Sequence, residues 1–143
     1  MPDKTDNRGQ KTVLVVEDKA LLRRTICEIL QDAFPDFDFP GVGGGAGALD
    51  ACNTFRPILV LMDKCLPDAD GIELTARLKL LYPGIEIIVM SYRSGEIYVQ
   101  RALAAGARAY LVKDKLGTEL IPAVAAAMGV PPATATATSS WKK

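Results

Sequence analysis

Histidine is absent from all 143 residues. The chain therefore lacks the most common general base and has no residue to carry a phosphohistidine of its own. Cysteine is scarce as well. Cys27, Cys52 and Cys65 are odd in number, form no CxxC pair and have no histidine to complete a ligand set, which disfavours both a disulfide framework and a zinc site. Neither sign of charge is in excess, because Lys+Arg and Asp+Glu number 17 each. No global positive field draws the chain to nucleic-acid phosphates or to an anionic membrane. Long hydrophobic runs are missing too: none approaches the roughly 18 residues of a membrane span, and residues 1–11 are polar and charged with no apolar leader core. A cytoplasmic home without membrane contact is the expectation, and any DNA binding would need a separate output domain.

What is present fits one globular domain. Residues 12–16 form a short β-branched run ending in Glu17 and Asp18, and residues 57–62 form a second ending in Asp63. Residues 85–90 end in Ser91, and residues 108–112 end in Lys113. Short, continuously apolar runs read as parallel strands buried on both faces. Between them apolar residues recur at helical spacing: Leu22, Ile26, Ile29 and Leu30; Leu74, Leu78 and Leu81; Leu116, Leu120, Val124 and Met128. Asp70 with Glu73 three residues on gives a capping-box-like start to one helix, which Pro83-Gly84 stops. Thr118 is the expected cap of the last helix, which would leave Pro122 in its first turn. A second strand is expected at residues 37–39, followed by a helix over residues 46–55. The alternation predicts an α/β fold, a single doubly wound five-stranded parallel sheet flanked by five helices over residues 11–129. Residues 1–10 are expected to be a disordered segment, and the Pro-, Ala- and Thr-rich residues 130–143 a flexible tail or linker.

In such a sheet ligands bind outside the carboxyl ends of the strands. Those ends bring Glu17, Asp18 and Asp63 together, a crowding of like charge that calls for a cation. Mg²⁺ is the natural candidate, since it prefers oxygen ligands and couples carboxylates to phosphate oxygens. A carboxylate is also a nucleophile able to form an aspartyl phosphate, which makes Asp63 the candidate acceptor. Lys113 would supply a point charge and Ser91 a hydroxyl hydrogen bond to the phosphoryl group. Taken singly, an acid at a strand end is more often a cap, and a lone Ser or Lys is surface. Five such residues at strand ends of one alternating fold carry more weight together than any does alone.

These residues resemble the receiver domains of bacterial two-component response regulators, specifically the NarL/FixJ-like group, over residues 11–128. Residues 13–18 (VLVVED) resemble the family's first strand with its acidic pair. Residues 63–71 (DKCLPDADG) resemble its phosphoacceptor loop, and residues 106–114 (GARAYLVKD) resemble its segment around the lysine. The resemblance implies a CheY-like fold and a phosphoacceptor switch rather than a turnover enzyme, in which Asp63 is phosphorylated by a partner sensor histidine kinase. It further implies that Asp18, Asp63 and the Cys65 backbone carbonyl ligate Mg²⁺, with Glu17 acting through water. Lys113 would pair with the phosphoryl group, Ser91 would move toward it, and Tyr110 would swing inward. Transcription control and homodimerisation belong to the same implication.

Three positions depart from the family's pattern, and two more lie where the family varies. Tyr92 replaces a small residue and would narrow the route to Asp63. Ile58 stands where an Asp is common, and Asp114 replaces a proline, which leaves its peptide bond trans. Cys65 and Arg93 sit where the family tunes phosphate lifetime. Three rival readings stand beside this one. Gly41, Gly43 and Ala46 fit a G-x-G-x-x-A dinucleotide fingerprint, but the preceding strand is short and holds Asp38 and Pro40. A haloacid-dehalogenase-type phosphatase needs D-x-D, where this chain has Cys65. A non-phosphorylated interaction module, or pseudo-receiver, is the third. Whether the chain is a truncated regulator or a stand-alone receiver is left open.

Overall fold

The computed structural model describes residues 11–133. Five strands, β1 (Val13–Val16), β2 (Gly41–Val42), β3 (Leu59–Asp63), β4 (Glu86–Ser91) and β5 (Ala109–Val112), alternate with five helices. The helices are α1 (Ala20–Ala33), α2 (Gly45–Phe55), α3 (Gly71–Leu81), α4 (Glu96–Ala104) and α5 (Leu116–Met128), the last entered through a 3-10 turn at Lys113–Lys115. The sheet is wholly parallel in the order β2-β1-β3-β4-β5. The expected doubly wound architecture is therefore the observed one, and the strand order reverses between β1 and β3.

The strands are apolar throughout because both their faces are covered. Alternate residues serve opposite layers: Val13, Val15, Leu59, Leu61 and Ile88 pack with Ile26 and Leu30 of α1 and with Leu120 and Val124 of α5. Leu14, Val16, Val60, Met62 and Val89 pack with α2, α3 and α4 through Ala48, Cys52, Leu74, Leu78 and Ala102. A one-residue slip in register would exchange the two sets, so the pairing is tightly specified. That precision carries to the strand ends, where function is expected.

Two boundaries differ from expectation. The second strand is Gly41–Val42 and not residues 37–39, of which Asp38 makes only an isolated bridge to Thr12. The whole stretch does run along β1, since the carbonyls of Asp38, Pro40 and Val42 accept from Val13, Val15 and Glu17 at 2.9–3.0 Å. Asp38 returns its own N–H to Lys11, but Pro40 has none to return, so the ladder breaks there. The last helix starts at Leu116 because the 3-10 turn begins helical winding directly after β5. Thr118 is therefore inside it, donating its hydroxyl to the Lys115 carbonyl, and Pro122 lies in the helix body instead of the first turn. Asp70 caps α3 as expected, accepting from the N–H groups of Ile72 and Glu73. No cis peptide occurs among the described residues, Asp114 included.

Past Gly129, Val130 packs against the core and the Ala133 N–H donates to the Ala33 carbonyl at 2.7 Å. The expectations for residues 1–10 and 134–143 lie outside the described residues. No helix among the described residues is long and apolar enough to cross a membrane.

Gly71 is the tightest point of the fold. A Cβ there would run into the Asp63 carbonyl and come within 2.8 Å of the Lys64 Cα, both backbone atoms that cannot step aside. Gly71→Ala is expected to lower stability by about 3 kcal/mol, the upper end of the usual overpacking range. The check is the urea midpoint at unchanged slope.

Candidate functional site

The register places four polar side chains on one rim. Val16 pairs with Met62, which sets Glu17 level with Asp63, while Ser91 and Lys113 each follow one residue beyond the pairs Asp63–Met90 and Ser91–Val112. With Asp18, Lys19, Cys65, Tyr92 and Arg93 they line a cleft of about 160 Å³. Glu17 is fully buried, Asp63 and Ser91 nearly so, and Asp18 and Cys65 are exposed.

Lys113 organises the rim. Its Nζ lies 2.7 Å from Glu17 Oε1 and 3.0 Å from Asp63 Oδ1, with all three side chains at most 5% exposed. The pair with Asp63 is a hydrogen bond, whereas the buried Glu17 Oε1 meets the ammonium as an ion pair without one. Asp63 Oδ1 also accepts from the Cys65 N–H at 3.2 Å, and Oδ2 has a long contact of 3.4 Å from the Asp18 N–H. Glu17 Oε2 accepts from the Lys19 N–H, and the Glu17 carbonyl accepts from Arg23 Nη1 at 2.7 Å. Ser91 Oγ accepts from the Arg93 N–H at 3.0 Å, leaving its own proton to give. Tyr110 reaches the same residue from the other side, its hydroxyl donating to the Arg93 carbonyl at 2.6 Å.

Burial pushes the Glu17 carboxyl above its ordinary range, against the opposing pull of Lys113 and the Lys19 N–H. Burial alone would lower the Lys113 ammonium, but its contacts with Glu17 and Asp63 outweigh that and hold it raised. The cleft thus carries two buried acids against one buried cation. As they stand, no three acid or thiol side chains among the described residues converge closely enough to grip an ion, because Glu17 and Asp63 turn to Lys113. The donor chemistry still fits a small hard cation: every group is an oxygen, and one buried carboxylate oxygen takes no hydrogen bond.

Every residue expected at the site is in the cleft except Tyr110, which contacts it through Arg93. Tyr92 lines the cleft beside Lys113. It is half exposed, and its ring centroid lies 5.1 Å from Lys113 Nζ.

A model of the response regulator receiver domain matches residues 13–125. The chain belongs to that family. As a receiver domain it is 31% identical over 119 residues to the transcriptional regulatory protein DegU of Brevibacillus brevis, covering 82% of this chain and 50% of that one. It is 37% identical over 114 residues to the DNA-binding transcriptional activator DevR/DosR of Mycobacterium tuberculosis, covering 78% and 52%. The chain therefore spans about half the length of these regulators. Among solved structures, the response regulator domain of Thermotoga maritima CheB superposes with a TM-score of 0.74 at 26% identity, covering 85% of this chain and 98% of that one.

The receiver's glycine-rich segment does not work as a dinucleotide loop. Gly41 and Gly43 lie under the Arg23 side chain, and the N–H groups of Gly45 and Ala46 are taken by the Asp68 carboxylate at 2.7 and 3.1 Å. A chain carboxylate sits where a pyrophosphate would. Sequence reasoning missed Arg23 and Asp68. The readable signal was a helix start at Gly43-Gly44-Gly45 with no residue able to cap it.

The Glu17 carboxyl sets a pH dependence. A group whose folded pKa lies above its ordinary 4.5 binds its proton more tightly when folded, so its contribution is whole below 4.5 and withdrawn as pH rises through the folded value. Glu17→Gln, measured without added metal, is expected to raise the urea midpoint near pH 7.5. The difference from the parent should shrink as pH falls toward 4.5; a constant difference would show that Glu17 does not titrate in this window.

Proposed function

We propose that this receiver is a Mg²⁺-dependent switch that accepts a phosphoryl group on Asp63 from the phosphohistidine of a sensor histidine kinase. The observation that carries the reading is the buried ammonium of Lys113 held between Asp63 and Glu17 at the switch point of a receiver fold. In the transfer the donor's P–N bond breaks, an O–P bond forms to the Asp63 carboxylate, and the imidazole leaves. Little covalent work falls to the protein, so positioning and charge dominate.

Each side chain then has a task. Lys113 faces charge on the phosphoryl oxygens, and Ser91 has a proton to donate to one of them. Asp18, Asp63 and the Cys65 carbonyl would hold Mg²⁺, with Glu17 acting through water. The ion supplies charge neutralisation between the carboxylates and the phosphoryl oxygens. Arg93 ties the two switch residues together, because its N–H holds Ser91 and its carbonyl holds Tyr110. A Ser91 drawn to the phosphoryl group gives up the Arg93 N–H, which loosens the anchor of the Tyr110 hydroxyl and frees its ring to turn inward. This is a two-state packing change biased by one new charge.

The names of DegU and DevR/DosR support transcription control as the output, acting through a DNA-binding domain. A partner-binding role without phosphorylation is the second reading, favoured only by the partial cover that Tyr92 gives Lys113.

Incubation with Mg²⁺ and acetyl phosphate, or with the cognate kinase, should add the mass of one phosphoryl group to the intact protein. Asp63→Asn should abolish the adduct, and excess chelator should prevent it. Lys113→Gln should slow its formation by roughly 10²-fold, as removal of one charge-stabilising donor does elsewhere. No adduct from any donor together with no Mg²⁺ binding would replace this function with the partner-binding one.

A further inference from the structure

The turn over residues 64–70 carries the Cys65 carbonyl, and two kinds of contact fix it. Its stem is closed locally: the Gly71 N–H donates to the Lys64 carbonyl at 2.7 Å, the Leu66 N–H to the Ala69 carbonyl at 3.2 Å, and Cys65 bridges Asp70. Its tip is held from a distance. Asp68 reaches across to α2, where Oδ1 accepts from the Gly45 N–H and Oδ2 from the Ala46 N–H.

The sequence of α2 makes that reach necessary. The helix opens Gly-Ala-Gly, a weak beginning, and its N-cap position is Gly44, which has no side chain to satisfy the first N–H groups. The same glycines make the reach possible. A Cβ on Gly44 would stand 3.0 Å from Asp68 Oδ1, and one on Gly45 would stand 2.9 Å from the Ala69 Cβ. Gly44 itself is extended, with φ −162 and ψ 177, a conformation any residue adopts. Its lack of a side chain therefore serves the approach of the loop, and not a backbone angle.

We propose that Asp68 is a positioning residue for the cation and phosphoryl site, docking the turn that carries the Cys65 carbonyl onto the N-terminus of α2. This rests on reading the cleft as the Mg²⁺-dependent phosphorylation site. Asp68 touches neither the cation nor the phosphoryl group. It fixes how far the turn stands from Asp63, to which the Cys65 N–H is already bonded. The carboxylate is exposed, and its hold on the turn is the two directed hydrogen bonds to α2.

A local cap separates positioning from helix stability. Asp68→Ala should bind Mg²⁺, measured calorimetrically without phosphodonor, about tenfold more weakly or worse, the loss typical when a group orienting a ligand is removed. Gly44→Ser added to Asp68→Ala puts a capping hydroxyl on α2, with space left by the missing carboxylate. This double variant should regain the melting temperature of the parent yet keep the weak Mg²⁺ affinity and the slowed labelling by acetyl phosphate. Recovery of affinity along with the melting temperature would overturn the proposal and leave Asp68 a helix cap, with the phosphorylation reading intact. A parent that neither binds Mg²⁺ nor accepts phosphoryl at Asp63 would overturn both.

Discussion

Two acids and one ammonium, all buried, are the constraint around which the receiver is arranged. Burying three charges is unfavourable unless their geometry and remaining hydrogen bonds compensate. Here the charges come from three different strands, so the compensation exists only when β1, β3 and β5 are in register. Lys113 must also reach past the end of β4 to Asp63 and Glu17, and the residue standing there is the small Ser91. The apolar layers specify that register, because every strand residue from Val13 to Val16 and from Leu59 to Met62 is fully buried on one face or the other. Core packing and site chemistry are thus one constraint seen at two ends of the same strands. Burial is what chiefly raises the Glu17 carboxyl, against the pull of Lys113 and the Lys19 N–H, with the Asp63 charge adding to it.

The rim is braced by neighbours that do no chemistry. Arg23 on α1 donates to the Glu17 carbonyl, its stem lying over Gly41 and its guanidinium over Gly43. Asp68 holds the other acidic segment against α2 through the Gly45 and Ala46 N–H groups, close beside Gly44. One glycine-rich stretch therefore accommodates both braces, one on each flank. Its composition resembles a phosphate-binding loop because the physical demand is the same: backbone approached closely by a polar group at a helix N-terminus. Here the polar groups are the chain's own.

Much of this was legible in the sequence where side chain and backbone point to the same answer. The apolar runs ending in Asp63, Ser91 and Lys113 marked both the strands and the residues that meet in the cleft, since a parallel strand buried on both faces can show a polar residue only at its end. Asp70 was readable as a cap because its partners are two and three residues away. What failed depended on partners distant in sequence or on a missing atom. Pro40 interrupts the second strand through the N–H it lacks, and α5 begins early because β5 feeds straight into a 3-10 turn. Asp68 lies 23 residues from the N–H it binds, so no local pattern marks it.

The same logic bears on how a signal would leave the cleft. Ser91 and Tyr110 lie on neighbouring strands, and both bond the backbone of Arg93, one hydrogen bond on each side of a single residue. A backbone link is indifferent to the Arg93 side chain, which is free to engage Tyr98 at the surface. The side chain can therefore vary without cutting the connection between cleft and outer face. Transmission needs only that the loop after β4 has two stable positions. Under the proposed phosphorylation, a new charge at Asp63 would shift their balance by no more than the difference in its attraction for Ser91 between the two. Since a hydrogen bond to a charged acceptor is stronger than one to a neutral one, that difference would favour the position in which Ser91 leaves Arg93.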